Sequence, residues 1–121
     1  MCDGARSFAI RNRVLLLLAT NGVGLDIALG AFPFEENAVD RATWWQLDEE
    51  HALLTCSPED LSVHKAFANC DQDWIDIKGV IIRQQDKLER DQIFNELTPL
   101  AELKEEPAII ERLRSVFEEN A

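Results

Sequence analysis

The stretch RVLLLLATNGVGLDIALG, residues 13–30, decides the fold of this chain. Within residues 13–20, Val14 to Ala19 form a continuous apolar run, the pattern of a strand buried on both faces. Asn21-Gly22 follows, a tight-hairpin signal, because both residues tolerate the backbone angles that a short turn demands. Leu25, Ile27 and Leu29 then alternate with Asp26, Ala28 and Gly30, which predicts a return strand over about 23–29. Asp26 stands in its middle, on the small-residue face. It is either an exposed strand residue without a role or a member of a metal-binding carboxylate group. Ala28 and Gly30 leave open space on its face, which a metal or ligand needs. A pair of divalent ions, however, wants several convergent carboxylates.

Working outward, FPFEENAVDRAT reads as a short helix opening near Pro33, with Phe34, Ala38 and Val39 on one face. WWQL and HALLTC form a second strand pair across the acidic turn Asp48-Glu49-Glu50. Trp44 and Trp45 then face opposite ways, one into the core and the other partly exposed. Ser57, Pro58, Glu59 and Asp60 open a helix, as N-cap, first helical residue and carboxylates at the positive end of the dipole. DQDWIDIKGVIIRQQ is a second helix, with Trp74, Ile77 and Ile81 as its apolar stripe. A third runs from about Glu89 to Leu97; Thr98-Pro99 caps and restarts it, with Leu100 and Leu103 inward. Pro107 restarts it again, with Ile109, Leu113, Val116 and Phe117 at helical spacing. The sum is α+β: a small mixed or antiparallel sheet followed by a helical C-terminal half, in a single domain 1–121 whose strand-rich part is 1–56 and helical part 57–121.

With 121 residues, 46% hydrophobic and 29% charged, the chain can bury a real core. The net charge of −11 argues against a nucleic-acid backbone as partner, because few cations are there to displace counterions. Arg6, Arg11 and Arg13 form the one basic cluster. Cys2, Cys56 and Cys70 lack CxxC spacing and read as reduced thiols of a cytoplasmic protein. VLLLLA is too short to span a bilayer and lacks the layout of a signal peptide.

The candidate chemistry lies in few residues. Asp71-Gln72-Asp73 would chelate a metal on a strand, but it opens a helix, where Asp caps; Asp76, three residues beyond Asp73, shares its helical face. Lys65 either points into a cleft to hold a phosphate or snorkels at the surface. His51 and His64 have no ligand spacing and read as structural or solvent-facing. Glu35-Glu36 reads as a helix start. Gly-rich phosphate-loop spacing, a nucleophile elbow and H-E-x-x-H are all absent from the sequence.

Taken in order, RNRVLLLLATNGVGLDIALGAFPFEENAVDRAT, CSPEDLSVHKAFA, DQDWIDIKGVIIRQ and LTPLAELKEEP resemble the later part of bacterial and archaeal proteins of the nucleotidyltransferase superfamily, in the AbiEii-like group. The resemblance covers roughly residues 8–115. It implies that Asp26 is the third carboxylate of a magnesium site, and that Lys65, Asp73 and Asp76 line the triphosphate side of a nucleotide cleft. The implied reaction is transfer of a nucleoside monophosphate from an NTP, with metal charge neutralisation and in-line positioning.

Two departures bear on activity. The Gly-Ser turn and D-x-D strand of the family should precede residue 8, where this chain has MCDGARS. The family often has Gly-Arg where Asn69-Cys70 stand. Magnesium should then bind weakly and the rate fall by several orders of magnitude. The alternative is a non-catalytic interaction or regulatory module that dimerises through the exposed sheet, or a fragment of a longer reading frame. An apolar strand without its neighbour leaves an open edge that invites self-association.

Overall fold

The computed structural model describes residues 13–30 and 32–120. By internal contacts the chain divides into two compact units, residues 1–37 and 38–121. The division falls inside a helix and not at the change of composition after residue 56.

In the first unit β1 (Val14–Leu18) pairs antiparallel with β2 (Gly24–Ala28), placing Leu16 opposite Asp26 and Leu15 opposite Ile27. The turn runs through Thr20-Asn21-Gly22: the Gly22 N–H donates to Ala19 C=O at 2.9 Å, and the Ala19 N–H donates to Val23 C=O at 2.8 Å. Gly22 has φ +84°, the left-handed geometry that closes a three-residue hairpin loop. The Asn21 side chain accepts from the Val23 N–H. The hairpin is as read from Asn21-Gly22; the expected burial on both faces is not found. Leu16, Leu17 and Leu18 and all of β2 are exposed, because the sheet stops at two strands. Helix α1 (Pro33–Arg41) follows, and its start is fixed by the Phe32 N–H donating to Glu35 Oε2 at 2.8 Å. Glu35 is thus a helix-start residue, as its sequence context indicates.

In the second unit β3 (Thr43–Gln46) pairs antiparallel with β4 (Ala52–Thr55) as a separate two-stranded sheet. Trp44 and Trp45 are 72% and 64% exposed, so neither enters a core. Opposite faces of a bare hairpin are both wet, which corrects the expectation that one is buried.

The core of this unit is helical: α2 (Pro58–Ala68), α3 (Asp71–Gln84), α4 (Arg90–Leu103) and α5 (Ala108–Glu119), with a 3-10 turn at Gln85–Lys87. Helix α2 starts where Ser57 Oγ accepts from the Asp60 N–H at 3.1 Å, with Pro58 at the first turn. It is central, packing on α3 and α4, while α5 closes against α2, α3 and α4. Val63, Ala66, Ile77, Ile93, Leu97 and Leu113 are fully or nearly fully buried. Trp74, Ile77 and Ile81 form the inward stripe of α3, as their spacing predicts.

Helix α4 differs from expectation. Thr98-Pro99 neither caps nor restarts it; Pro99 lies inside one continuous helix. Leu97, Leu100 and Ala101 are buried on its core face, and that packing carries the helix through the missing N–H. Leu103, expected inward, is 63% exposed because it lies off the Leu97–Leu100–Ala101 face.

Candidate functional site

Three of the four sequence candidates come together. Lys65 projects from α2 onto the first turns of α3, with Nζ 3.2 Å from Asp73 Oδ1 and 2.9 Å from Asp76 Oδ2. The remaining carboxylate oxygens are also taken. Asp73 Oδ2 accepts from the Cys70 N–H at 3.3 Å, which completes a capping box, and Asp76 Oδ1 accepts from Gln72 Nε2 at 3.0 Å. Hydrogen bonds from Lys65 and then Gln72 hold the Asp76 carboxyl below the usual carboxylate range. Hydrogen bonds to Asp76 and Asp73 raise the Lys65 ammonium above its ordinary value.

The cluster is a closed clamp between two helices. For a phosphate to reach Lys65, it must displace two carboxylates that repel it. Asp71, the other acid of the DQD motif, is fully exposed and only 3.7 Å from Arg112.

Asp26 lies on the first unit and is exposed, cross-strand from Leu16. Among the described residues, no group of three or more His, Cys, Asp or Glu side chains is placed to hold a metal ion. The donors described do not fit a magnesium site: Asp26 offers one carboxylate, and Asp73 and Asp76 are committed to an ammonium group. Arg6, Arg11 and Cys2 lie outside the described residues. Arg13 has φ 56° and donates through Nη2 to Gly30 C=O at 2.6 Å, which ties its guanidinium to the base of the hairpin.

The other candidates have local roles. Asp48 Oδ1 accepts from the His51 N–H and lies 2.8 Å from His51 Nδ1. His64 is exposed. Cys56 and Cys70 are free thiols, and desolvation pushes the Cys56 thiol up, away from the reactive thiolate. Asn69 stands where the resemblance often implies Gly. It is the left-handed C-cap of α2 at φ 59°, a conformation that Gly and Asn tolerate best. Its Oδ1 accepts from Trp74 Nε1 at 2.8 Å.

The most buried ionic group escaped the sequence reading. The Asp60 side chain is wholly buried, and Arg41 grips it with Nη2 at 2.6 Å and Nε at 2.9 Å. Arg41 also reaches Glu96 Oε1 on α4 at 3.1 Å. Asp60 is read from sequence as a dipole residue of α2; its partner lies 19 residues back, with no local signal. Among the hollows on the helical unit, one of about 330 Å³ lies against Ile81, Gln85 and Arg90, one of about 420 Å³ against Asn69, Pro107 and Arg112, and one of about 480 Å³ against Leu88, Glu89 and Asp91. Lys65, Asp73 and Asp76 line none of these three.

Most of the large apolar side chains exposed among the described residues lie on the two hairpins. On β1–β2, the register puts Leu15, Leu17, Leu25 and Ile27 on one uncharged face. No described helix is long and apolar enough to cross a membrane. Set against protein-family models, curated proteins and solved structures, the chain matches none of them.

Proposed function

We propose that this chain works as a non-catalytic interaction module that associates through its hairpins. One observation carries the reading: both hairpins expose apolar side chains on both faces. An isolated two-stranded hairpin is marginal in water, and apolar patches of this kind mark interaction surfaces. The Leu15, Leu17, Leu25 and Ile27 face has no charge to repel its own copy, so a homodimer through β1–β2 is the simplest cover. The free Cys56 and Cys70 thiols suit a reducing, cytoplasmic setting.

Sedimentation velocity at micromolar concentration tests this. The expected result is a dimer, converted to monomer by Leu17→Lys or Leu25→Lys with unchanged far-UV circular dichroism. A wild-type monomer would overturn it.

Magnesium-dependent nucleotidyl transfer is the second reading. In its favour, Lys65, Asp73 and Asp76, which the resemblance groups on the triphosphate side, lie together. Thermal unfolding with magnesium and each NTP separates the two readings, since a bound ligand raises the melting temperature by mass action. The module reading expects no shift. A shift that Asp26→Asn abolishes would favour the transferase.

A further inference from the structure

The β3–β4 hairpin differs in chemistry from β1–β2. Its ladder starts with the Leu47 N–H donating to His51 C=O at 2.9 Å, and Trp45 faces Leu53 further along. Antiparallel alternation therefore turns the main-chain groups of Trp44 and Gln46 to one outer edge, and those of Ala52 and Leu54 to the other. Both edges are unpaired among the described residues.

The tip is organised. Asp48 Oδ1 accepts from the N–H groups of Glu50 and His51 at 2.8 and 2.7 Å, which leaves the Glu49 and Glu50 side chains facing solvent. No Lys or Arg occurs between Arg41 and Lys65. The hairpin thus combines two free strand edges, an exposed Trp on each face and an unbalanced acidic tip.

We infer that β3–β4 receives an extended basic segment of a partner protein by strand addition. Main-chain bonds form along one free edge, apolar side chains of the segment cover Trp44 or Trp45, and Lys or Arg pairs with Glu49 and Glu50. This rests on the interaction-module reading and names the partner's chemistry. Charge decides among occupants: an anionic lipid surface or a nucleic-acid backbone meets the same carboxylates with like charge, and a second copy brings another acidic tip. The β1–β2 face of Leu15, Leu17, Leu25 and Ile27 carries no charge and is not subject to this selection.

The test titrates short blocked peptides into the full chain, with Val alternating with Lys, Gln or Glu in either register, and reads Trp emission. The Lys peptide is expected to shift emission to the blue, saturably, and to weaken with added salt. The Glu peptide is expected to bind at least about tenfold more weakly, a difference of about 1.4 kcal/mol. Gln46→Pro and Ala52→Pro each remove one outward N–H while sparing the ladder, and one of them should weaken the Lys peptide about tenfold with unchanged circular dichroism. Equal binding of Lys and Glu peptides, binding of none, or full binding by both proline variants would overturn the inference. So would a blue shift driven by the chain's own concentration and lost in Trp44→Ala or Trp45→Ala. Failure here with the Leu17-dependent dimer intact removes this inference alone; loss of that dimer removes the module reading itself.

Discussion

At the scale of single residues, the strongest constraint is one buried carboxylate. Asp60 is wholly enclosed and satisfied by the Arg41 fork, so removing its charge strands a guanidinium that is itself two-thirds covered. Asp60→Asn is expected to cost about 3 kcal/mol in urea unfolding, the low end for a broken buried pair, because Arg41 keeps some solvent and Glu96. Replacing both partners, as Arg41→Met with Asp60→Leu, should cost less than Asp60→Asn alone. Backbone strain gives the opposite sign. Gln85 ends α3 at φ 49° and ψ −126°, a region open in practice only to glycine. Gln85→Gly should therefore stabilise by about 1 kcal/mol, measured the same way. Neither residue announces itself in sequence: Asp60 looks like an ordinary helix-start acid, and Gln85 sits in a run of helix formers.

At the scale of elements, the Lys65 clamp between α2 and α3 makes stability depend on pH in a defined direction. The Asp76 carboxyl is held low by Lys65, so its contribution is present above the unfolded-state value, near pH 4, and is lost as pH falls through the folded value. Lys65 is raised, so its contribution is present below its ordinary value of 10.5 and is lost as pH rises through the folded value. Asp76→Asn should flatten the acid limb of melting temperature against pH by lowering the melting temperature near neutrality, with the difference from the wild type vanishing at low pH. Pro99 offers a second check. It has no N–H for the Asn95 carbonyl, and Pro99→Ala should raise the stability of α4 by about 1 kcal/mol or more.

Helix starts were the legible part of the fold. Ser57-Pro58 and the acids before Trp74 state their capping in the chain itself, and the stripe Trp74, Ile77, Ile81 states its buried face. Pro99 misleads because local chemistry stops a helix there, while the burial of Leu97 and Leu100 on other elements continues it. Trp44 and Trp45 mislead for a related reason: alternation tells which side chains share a face, not whether anything covers that face.

At the scale of the molecule, the helical unit and the hairpins stand in contrast. The four helices of the second unit bury their apolar stripes, and every buried polar side-chain atom described has a partner. The hairpins leave Leu16, Leu18, Ile27, Trp44 and Leu53 in water. Of the candidate site, only the Lys65–Asp73–Asp76 grouping was legible, through the order of motifs; that one ammonium is held between both carboxylates in a helix clamp depends on a crossing of α2 and α3 that no spacing encodes. Asp26 keeps its strand position and has no carboxylate trio around it among the described residues.

The most direct measurement is amide hydrogen exchange of the full chain across a dilution series. Association through exposed hairpins should protect the amides of β1–β2 increasingly as concentration rises, while those of α2 and α4 stay equally protected throughout. Protection of β1–β2 that is already complete at high dilution and does not change with concentration would contradict it.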